Sequence, residues 1–366
     1  MKSCFNDIYR GKRVLITGHT GFKGSWLAIW LQILGAEVAG VALEPVHDKC
    51  NFNVTKLGSR IDNHFLDITD YQSLQRAIAD FKPDIIFHLA AQALVGTSYD
   101  EPKRTFDTNI GGTLNVLESI RNSREVKAGV LITSDKCYRN VEQIWGYREE
   151  DRLGGDDPYS ASKAGAELII RSYTKSFFSQ ESSPLIASTR AGNVIGGGDW
   201  SENRLVPDCI RHLNNNEPII IRNPSSTRPW QLVLEPLSGY LLLGQKLLEK
   251  SGGFTEGWNF GPSMEECHTV LEVAELIVKL WGAGETKVTG NQQAFYESTL
   301  LQLDCTKARV KLGWHQTLNT KESLEFTVNW YKHLKNHPDA DMFDFCAEQL
   351  ENYQLLAHQR RSGWTQ

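Results

Sequence analysis

A parallel α/β sheet is predicted for the N-terminal half of this 366-residue chain by three features. Short apolar runs of strand length alternate with helical segments, a glycine-rich turn joins the first run to the first helix, and paired alanines follow a later run. Arg13-Val14-Leu15-Ile16-Thr17 reads as a short buried strand, and the turn Gly18-His19-Thr20-Gly21-Phe22-Lys23-Gly24 follows it directly. Ser25 to Leu34 is apolar on most faces, as expected of a buried helix. It closes at Gly35 and leads into a second strand, Glu37 to Leu43, completing a βαβ unit. Asp84 to Leu89 is a further buried strand, and Leu185–Ser188 and Gly257–Phe260 read as strands that extend the same sheet. The texture changes after Arg190: a polar loop, Ala191 to Trp200, is followed by loops and short helices carrying scattered arginines. The expected architecture is a Rossmann-type doubly wound parallel sheet over residues 1–190, with segments near 230–262 returning to it, and a smaller C-terminal α/β lobe in 191–366.

The glycine turn has a physical use. Gly18, Gly21 and Gly24 allow a tight turn and close backbone approach, and the helix that follows offers free amides to a pyrophosphate. A dinucleotide site also expects an acid near the end of the second strand to hold the ribose hydroxyls. Glu44 stands there, although Pro45 follows it and a solvated loop position fits equally well. Asp67, with Ile68 beside it, is a second polar candidate near the adenine. After Asp84–Leu89, the small Ala90 and Ala91 next to Leu89 would let a cofactor pass close. His88 reads as a core histidine. Carboxylates with no nearby base past the second strand favour NAD over NADP, whose added phosphate they would repel.

Two segments carry the chemistry. Tyr159 and Lys163 lie four apart in Tyr159-Ser160-Ala161-Ser162-Lys163, so a helix would present phenol and ammonium on one face. Asp157-Pro158 supplies the N-cap and the first helical position, placing Tyr159 in the first turn. A neighbouring cation is expected to draw the phenol down from about 10 towards the working pH, as base chemistry on an alcohol requires. Upstream, Ser134-Asp135-Lys136-Cys137 sets an acid within reach of that pair. Simple alcohol oxidation needs only the Tyr/Lys pair, so Asp135 suggests that a second group, such as a leaving hydroxyl, is protonated.

Composition excludes several classes. A net charge of −5 and a pI near 6.1 leave no electrostatic footprint for nucleic acid or an anionic membrane. No run of membrane-spanning length and no leader-like apolar stretch is evident, so a cytoplasmic protein is expected. The seven cysteines form no Cys-x-x-Cys pair and no zinc spacing, which fits reduced thiols and no metal. Among the later arginines, Arg204 and Arg228 could clamp a diphosphate bidentately, whereas Arg211 and Arg222 read as surface residues.

Together, Gly18-x-x-Gly21-x-x-Gly24, Tyr159-x-x-x-Lys163 and Ser134-Asp135 resemble the extended short-chain dehydrogenase/reductase superfamily, specifically its nucleotide-sugar 4,6-dehydratases. His88-Leu89-Ala90-Ala91-Gln92, Arg190-Ala191-Gly192-Asn193-Val194 and Trp258-Asn259-Phe260-Gly261 extend the likeness over most of the chain. Gly197-Gly198-Asp199-Trp200 and Arg228-Pro229-Trp230-Gln231 are most similar to the members that act on CDP-glucose. The resemblance implies C4 oxidation by Tyr159 with NAD, loss of water across C5 and C6 with Asp135 as acid, and return of the hydride to C6. In this scheme Lys163 holds the cofactor ribose, Ser134 bonds the C4 oxygen, and Gln92, Asn193, Arg204 and Arg228 contact substrate. It further implies deoxysugar synthesis of the O-antigen type and a homodimer packed through helices, including the one near Tyr159. Lys136 stands where dTDP-sugar relatives carry Glu, which leaves the C5 base open between neutral Lys136 and another group, with Lys136 stabilising an enolate. Ala42 stands where many relatives carry the ribose-binding Asp. A C4 epimerase, a dehydratase for another nucleotide sugar and a non-catalytic NAD sensor are the alternatives.

Overall fold

A computed structural model describes residues 4–263, 266–289 and 300–365. Seven parallel strands form its main sheet: β1 (Arg13–Thr17), β2 (Glu37–Ala42), β3 (Asp62–Phe65), β4 (Ile85–His88), β5 (Ala128–Ile132), β6 (Leu185–Ala191) and β7 (Gly257–Phe260). Their order across the sheet is β7-β6-β5-β4-β1-β2-β3. The direction of winding reverses between β1 and β4, which pair from Val14–Ile85 to Thr17–His88. A crevice at the carboxyl ends of these two strands is where an open α/β sheet takes its ligand.

Central strands β1, β4 and β5 are buried along almost their whole length, so their side chains are apolar on both faces rather than alternating. The main helices are α1 (Phe22–Ile33), α2 (Tyr71–Phe81), α3 (Thr113–Arg121), α4 (Pro158–Ser176), α5 (Leu205–Asn214), α6 (Leu234–Leu248), α7 (Val270–Trp281), α8 (Thr320–Asn336) and α9 (Met342–Gln359). The apolar character of α1 on every side has a direct cause. One side meets the sheet and the other is covered by α9, with Trp30 edge-on to Tyr353 and Trp364 at 5.8 and 5.7 Å. Burying each such side chain contributes about 1.5–3 kcal/mol, so the last helix closes the N-terminal core. That return of the C-terminus goes beyond the segments near 230–262 expected to rejoin the sheet. Of these, β7 pairs with β6 from Gly257–Ser188 to Phe260–Ala191.

Beyond β6, three two-stranded ribbons join distant segments: 194–195 with 231–232, 219–221 with 286–288, and 227–229 with 267–269. With α5, α7 and α8 they form a smaller α/β layer over the carboxyl ends of the sheet. Among the described residues no helix is long and apolar enough to cross a membrane, and no cluster of side chains is able to hold a metal ion.

Candidate active site

The glycine turn sits at the reversal point because its residues admit neighbours that a side chain would exclude. A Cβ on Gly18, whose φ is +81°, would lie 2.6 Å from the Ala90 amide nitrogen, and one on Gly24 only 2.1 Å from the Gly18 carbonyl oxygen. No side chain caps α1 at Gly21, which leaves its first-turn amides without a side-chain partner next to the close approach of Gly18 to Leu89 and Ala90. This cradle fits a dinucleotide pyrophosphate.

The side chains within the turn behave differently from one another. His19 turns inward: its imidazole fills the space above Gly40, where a Cβ would come within 2.2 Å, and its Nε2 meets Asn63 Oδ1 at 2.5 Å. Its backbone is the part left to face a cofactor. Thr20 donates to the Leu43 carbonyl at 2.9 Å, and Phe22 packs under Gly196. Lys23 is half-buried among charges, and desolvation with Arg204 draws its ammonium down to about 8.

At the ribose end, β2 stops at Ala42, and Glu44 lies exposed beyond it. Asp67 is exposed too, and its carboxylate accepts the Thr69 amide at 2.9 Å, while Ile68 is buried under Gly112. The core reading of His88 is met. It bonds Thr17 at 2.7 Å and Thr113 at 3.0 Å, and burial lowers it to about 3. Gln92, expected to contact substrate, has its side-chain amide bonded to Thr105 and to both backbone groups of Leu94.

Asp157 Oδ1 accepts the Ser160 amide at 2.9 Å and caps α4, with Pro158 in the first turn, so Tyr159 enters the site from that turn. Opposite it, β5 ends and the chain turns through Asp135–Cys137. Ser134 Oγ donates to Asp135 Oδ1 at 2.8 Å and is near enough to the Tyr159 phenol to favour its ionised form, so it stands between base and acid. The carboxylate lies over Gly192, where a Cβ would be 3.1 Å from Oδ2. A small cleft lined by Asp135, Gly192, Pro229, Gly261 and Leu303 opens on it.

Electrostatics separate these groups. Burial raises the Asp135 carboxyl above the usual carboxylate range against the pull of Lys136, Ser134 and Lys23. A shift in this direction favours the protonated form that a general acid requires. Tyr159 does not follow the sequence expectation: burial lifts its phenol to about 12, with Ser134 and then Arg204 working against that. Lys163 is not among the largest influences on it. Its Nζ stands 5.9 Å from the ring centroid, and burial draws Lys163 itself down to about 8. Lys136 is half-buried, and its amide donates to Ser134 Oγ at 3.2 Å.

Of the substrate candidates, Arg204 bears on Tyr159 and Lys23 and pairs with buried Asp199 at 2.9 Å. Asn193 is exposed, with its carbonyl accepting Gln231 N. Arg228 is half-buried in a ribbon next to Pro229, which lines the cleft. Arg211 is held by Asp208 on its own helix and by the Trp200 carbonyl, and Arg222 is exposed. Three residues of the site were not singled out for the positions they take. They are Lys23 as a half-buried charge near Asp135, and the buried Glu167–Arg190 pair beneath the loop. Lys163-x-x-x-Glu167 is the available signal, with Glu167 one helical turn beyond Lys163.

A family model described as GDP-mannose 4,6 dehydratase matches residues 15–327. The chain belongs to this family. A CDP-glucose 4,6-dehydratase of Salmonella typhimurium is 47% identical over 330 residues, covering 89% of this chain and 92% of that protein. Among solved structures, the dTDP-glucose 4,6-dehydratase DesIV of Streptomyces venezuelae, determined with NAD bound, superposes with a TM-score of 0.75 at 22% identity, over 89% of this chain and 98% of that one. A UDP-glucose 4-epimerase of Thermotoga maritima superposes with a TM-score of 0.76 at 24% identity, over 88% and 99%. Dehydratases and epimerases share this fold, so the fold alone does not choose between them.

Proposed function

We infer that the chain is an NAD-dependent CDP-glucose 4,6-dehydratase that converts CDP-D-glucose to CDP-4-keto-6-deoxy-D-glucose and water. The observation that carries this reading is Asp135, its carboxyl raised and bonded to Ser134 next to Tyr159, together with the close similarity to the Salmonella dehydratase. An epimerase needs no acid there, and a sensor has no use for a linked acid and base.

When bound, NAD supplies a hydride acceptor for C4 of the sugar and a donor for C6. Tyr159 takes the C4 hydroxyl proton while Ser134 holds the C4 oxygen. The resulting 4-ketone acidifies the C5 proton, and Lys136 is placed to remove it or to hold the enolate. Asp135 protonates the C6 hydroxyl, which leaves as water, and a proton is restored at C5. Tyr159 has then gained one proton and Asp135 lost one, and Ser134 connects the two. The summed change is loss of one water.

Lys163 and the turn Gly18–Gly24 are assigned to the cofactor, the Glu44 and Asp67 carboxylates to the adenosine end, and Asn193, Arg204 and Arg228 to the nucleotide sugar. We take residues 1–190 as the cofactor unit with β7 returning to it, and 191–366 as mainly the substrate unit. Exposed Leu168 on α4 and Leu114 on α3 favour a homodimer through those helices, working in the cytoplasm on deoxysugars of the O-antigen type. Incubation with CDP-, dTDP-, UDP- and GDP-glucose tests the reading. The CDP sugar alone should yield a product lighter by one water, and a product of unchanged mass with inverted C4 would instead make it an epimerase.

A further inference from the structure

The acid and base of this site come from separate elements, Asp135 from the loop after β5 and Tyr159 and Lys163 from α4, and one buried ion pair touches both. Glu167 lies one helical turn beyond Lys163, with its side chain only 3% exposed. It receives Arg190 of β6 in a two-pronged contact, Nε to Oε1 at 3.0 Å and Nη2 to Oε2 at 2.8 Å. The same carboxylate accepts Thr133 Oγ1 at 2.5 Å and Ser188 Oγ at 2.8 Å. Thr133 is the residue immediately before Ser134. On the far side, Arg190 Nη1 donates to the Tyr138 hydroxyl at 2.6 Å and to the Glu149 carbonyl at 2.9 Å. Tyr138 is the residue immediately after Cys137, and its hydroxyl donates on to Asn259 Oδ1 of β7 at 2.8 Å.

The loop 134–137 is therefore fastened at its first and last flanking residues to a single pair whose carboxylate belongs to the catalytic helix. We propose that Glu167 and Arg190 are positioning residues that fix the distance between Asp135 and Tyr159, holding the acid-bearing loop in register with the base-bearing helix. The planar fork permits little sliding between β6 and α4. Every polar atom of the pair is occupied, so neither charge is left unbalanced in the interior. Since the two chemical stages draw on different sides of this register, a loosened loop impairs them unequally. Oxidation at C4 relies on Tyr159, with only Ser134 of the loop assisting, and slows less, while loss of the C6 hydroxyl relies on Asp135 and slows more.

This assignment rests on the dehydratase reading, and its test separates the two. Thr133→Val and Tyr138→Phe each free one end of the loop and leave the ion pair whole, so neither strands a charge. With the NAD-loaded enzyme and CDP-glucose, each variant should lose about 10-fold in kcat at unchanged KM, and the double variant about 100-fold, the order expected for a misplacement near 1 Å. Quenched samples should contain CDP-4-ketoglucose that has not yet lost water. Thr133→Ser, which keeps the hydroxyl, should restore turnover. A merely structural role would lower thermal stability while leaving kcat and the ratio of ketoglucose to product as in the parent enzyme, and that result overturns the proposal. Failure of the parent enzyme to release water from CDP-glucose would remove the dehydratase reading and the proposal with it.

Discussion

Asp135, half-buried, and Glu167, fully buried, are carboxylates at the same site, and their surroundings drive them in opposite directions. Glu167 faces a guanidinium in a two-pronged contact and is held below the usual carboxylate range although burial acts against it. Asp135 has Lys136 and Lys23 near it but no guanidinium fork, and burial prevails. The difference teaches that burial alone does not make an acid catalyst. A matched cation turns the same group into a fixed structural anion, and its absence leaves a group able to carry a proton.

The largest effect should come from removing the mobile proton. Asp135→Asn keeps the shape and should slow loss of the C6 hydroxyl by roughly 10²–10⁴, with CDP-4-ketoglucose accumulating in quenched-flow samples. In the parent enzyme the acid must be protonated, so turnover should decline as pH rises through the raised Asp135 value, and that alkaline limb should vanish in the variant.

A second substitution converts Glu167 towards the condition of Asp135. Arg190→Met leaves the carboxylate buried without its cation and should cost about 3–5 kcal/mol of stability, measured by denaturant unfolding. The pH dependence should also reverse sign. In the parent, Glu167 is depressed below 4.5, so its stabilisation is present above that pH and lost as pH falls. In the variant burial raises it, and stability should fall as pH rises.

Glu235 extends the contrast away from the site. It is fully buried on α6, accepts the Thr317 and Leu318 amides at 2.9 and 2.8 Å, and is pushed up to about 7 chiefly by burial. A carboxyl raised in the folded state contributes stability that is complete below the unfolded value of about 4.5 and lost as pH rises to about 7. Glu235→Gln should flatten that slope in thermal unfolding, by about 1–3 kcal/mol across the window. The smallest effect concerns exposed Glu44: Glu44→Ala should weaken NAD by a few-fold at most, about 1 kcal/mol or less by calorimetry.

The parts legible in the sequence were those set by local rules. Asp157-Pro158 placed Tyr159 in the first turn of its helix, the glycine spacing placed the turn against Ala90, and the Gly257–Phe260 strand joined the sheet. What escaped depends on long-range packing. No local pattern tells that His19 turns under Gly40, that Gln92 is engaged by Thr105, or that α9 returns to cover α1. Charge in the pocket was misjudged for the same reason. Lys163 four residues from Tyr159 suggested a lowered phenol, but burial raises it and the nearest relief comes from Ser134 in another element.

The contrast between the two carboxylates is tested most directly by following their carboxyl carbons by isotope-edited NMR across an acid-to-neutral titration, with Asp135→Asn and Glu167→Gln to assign the signals. Asp135 should titrate above 3.8 and Glu167 below 4.5. An Asp135 that is ionised at or below its ordinary value would contradict its role as the stored acid.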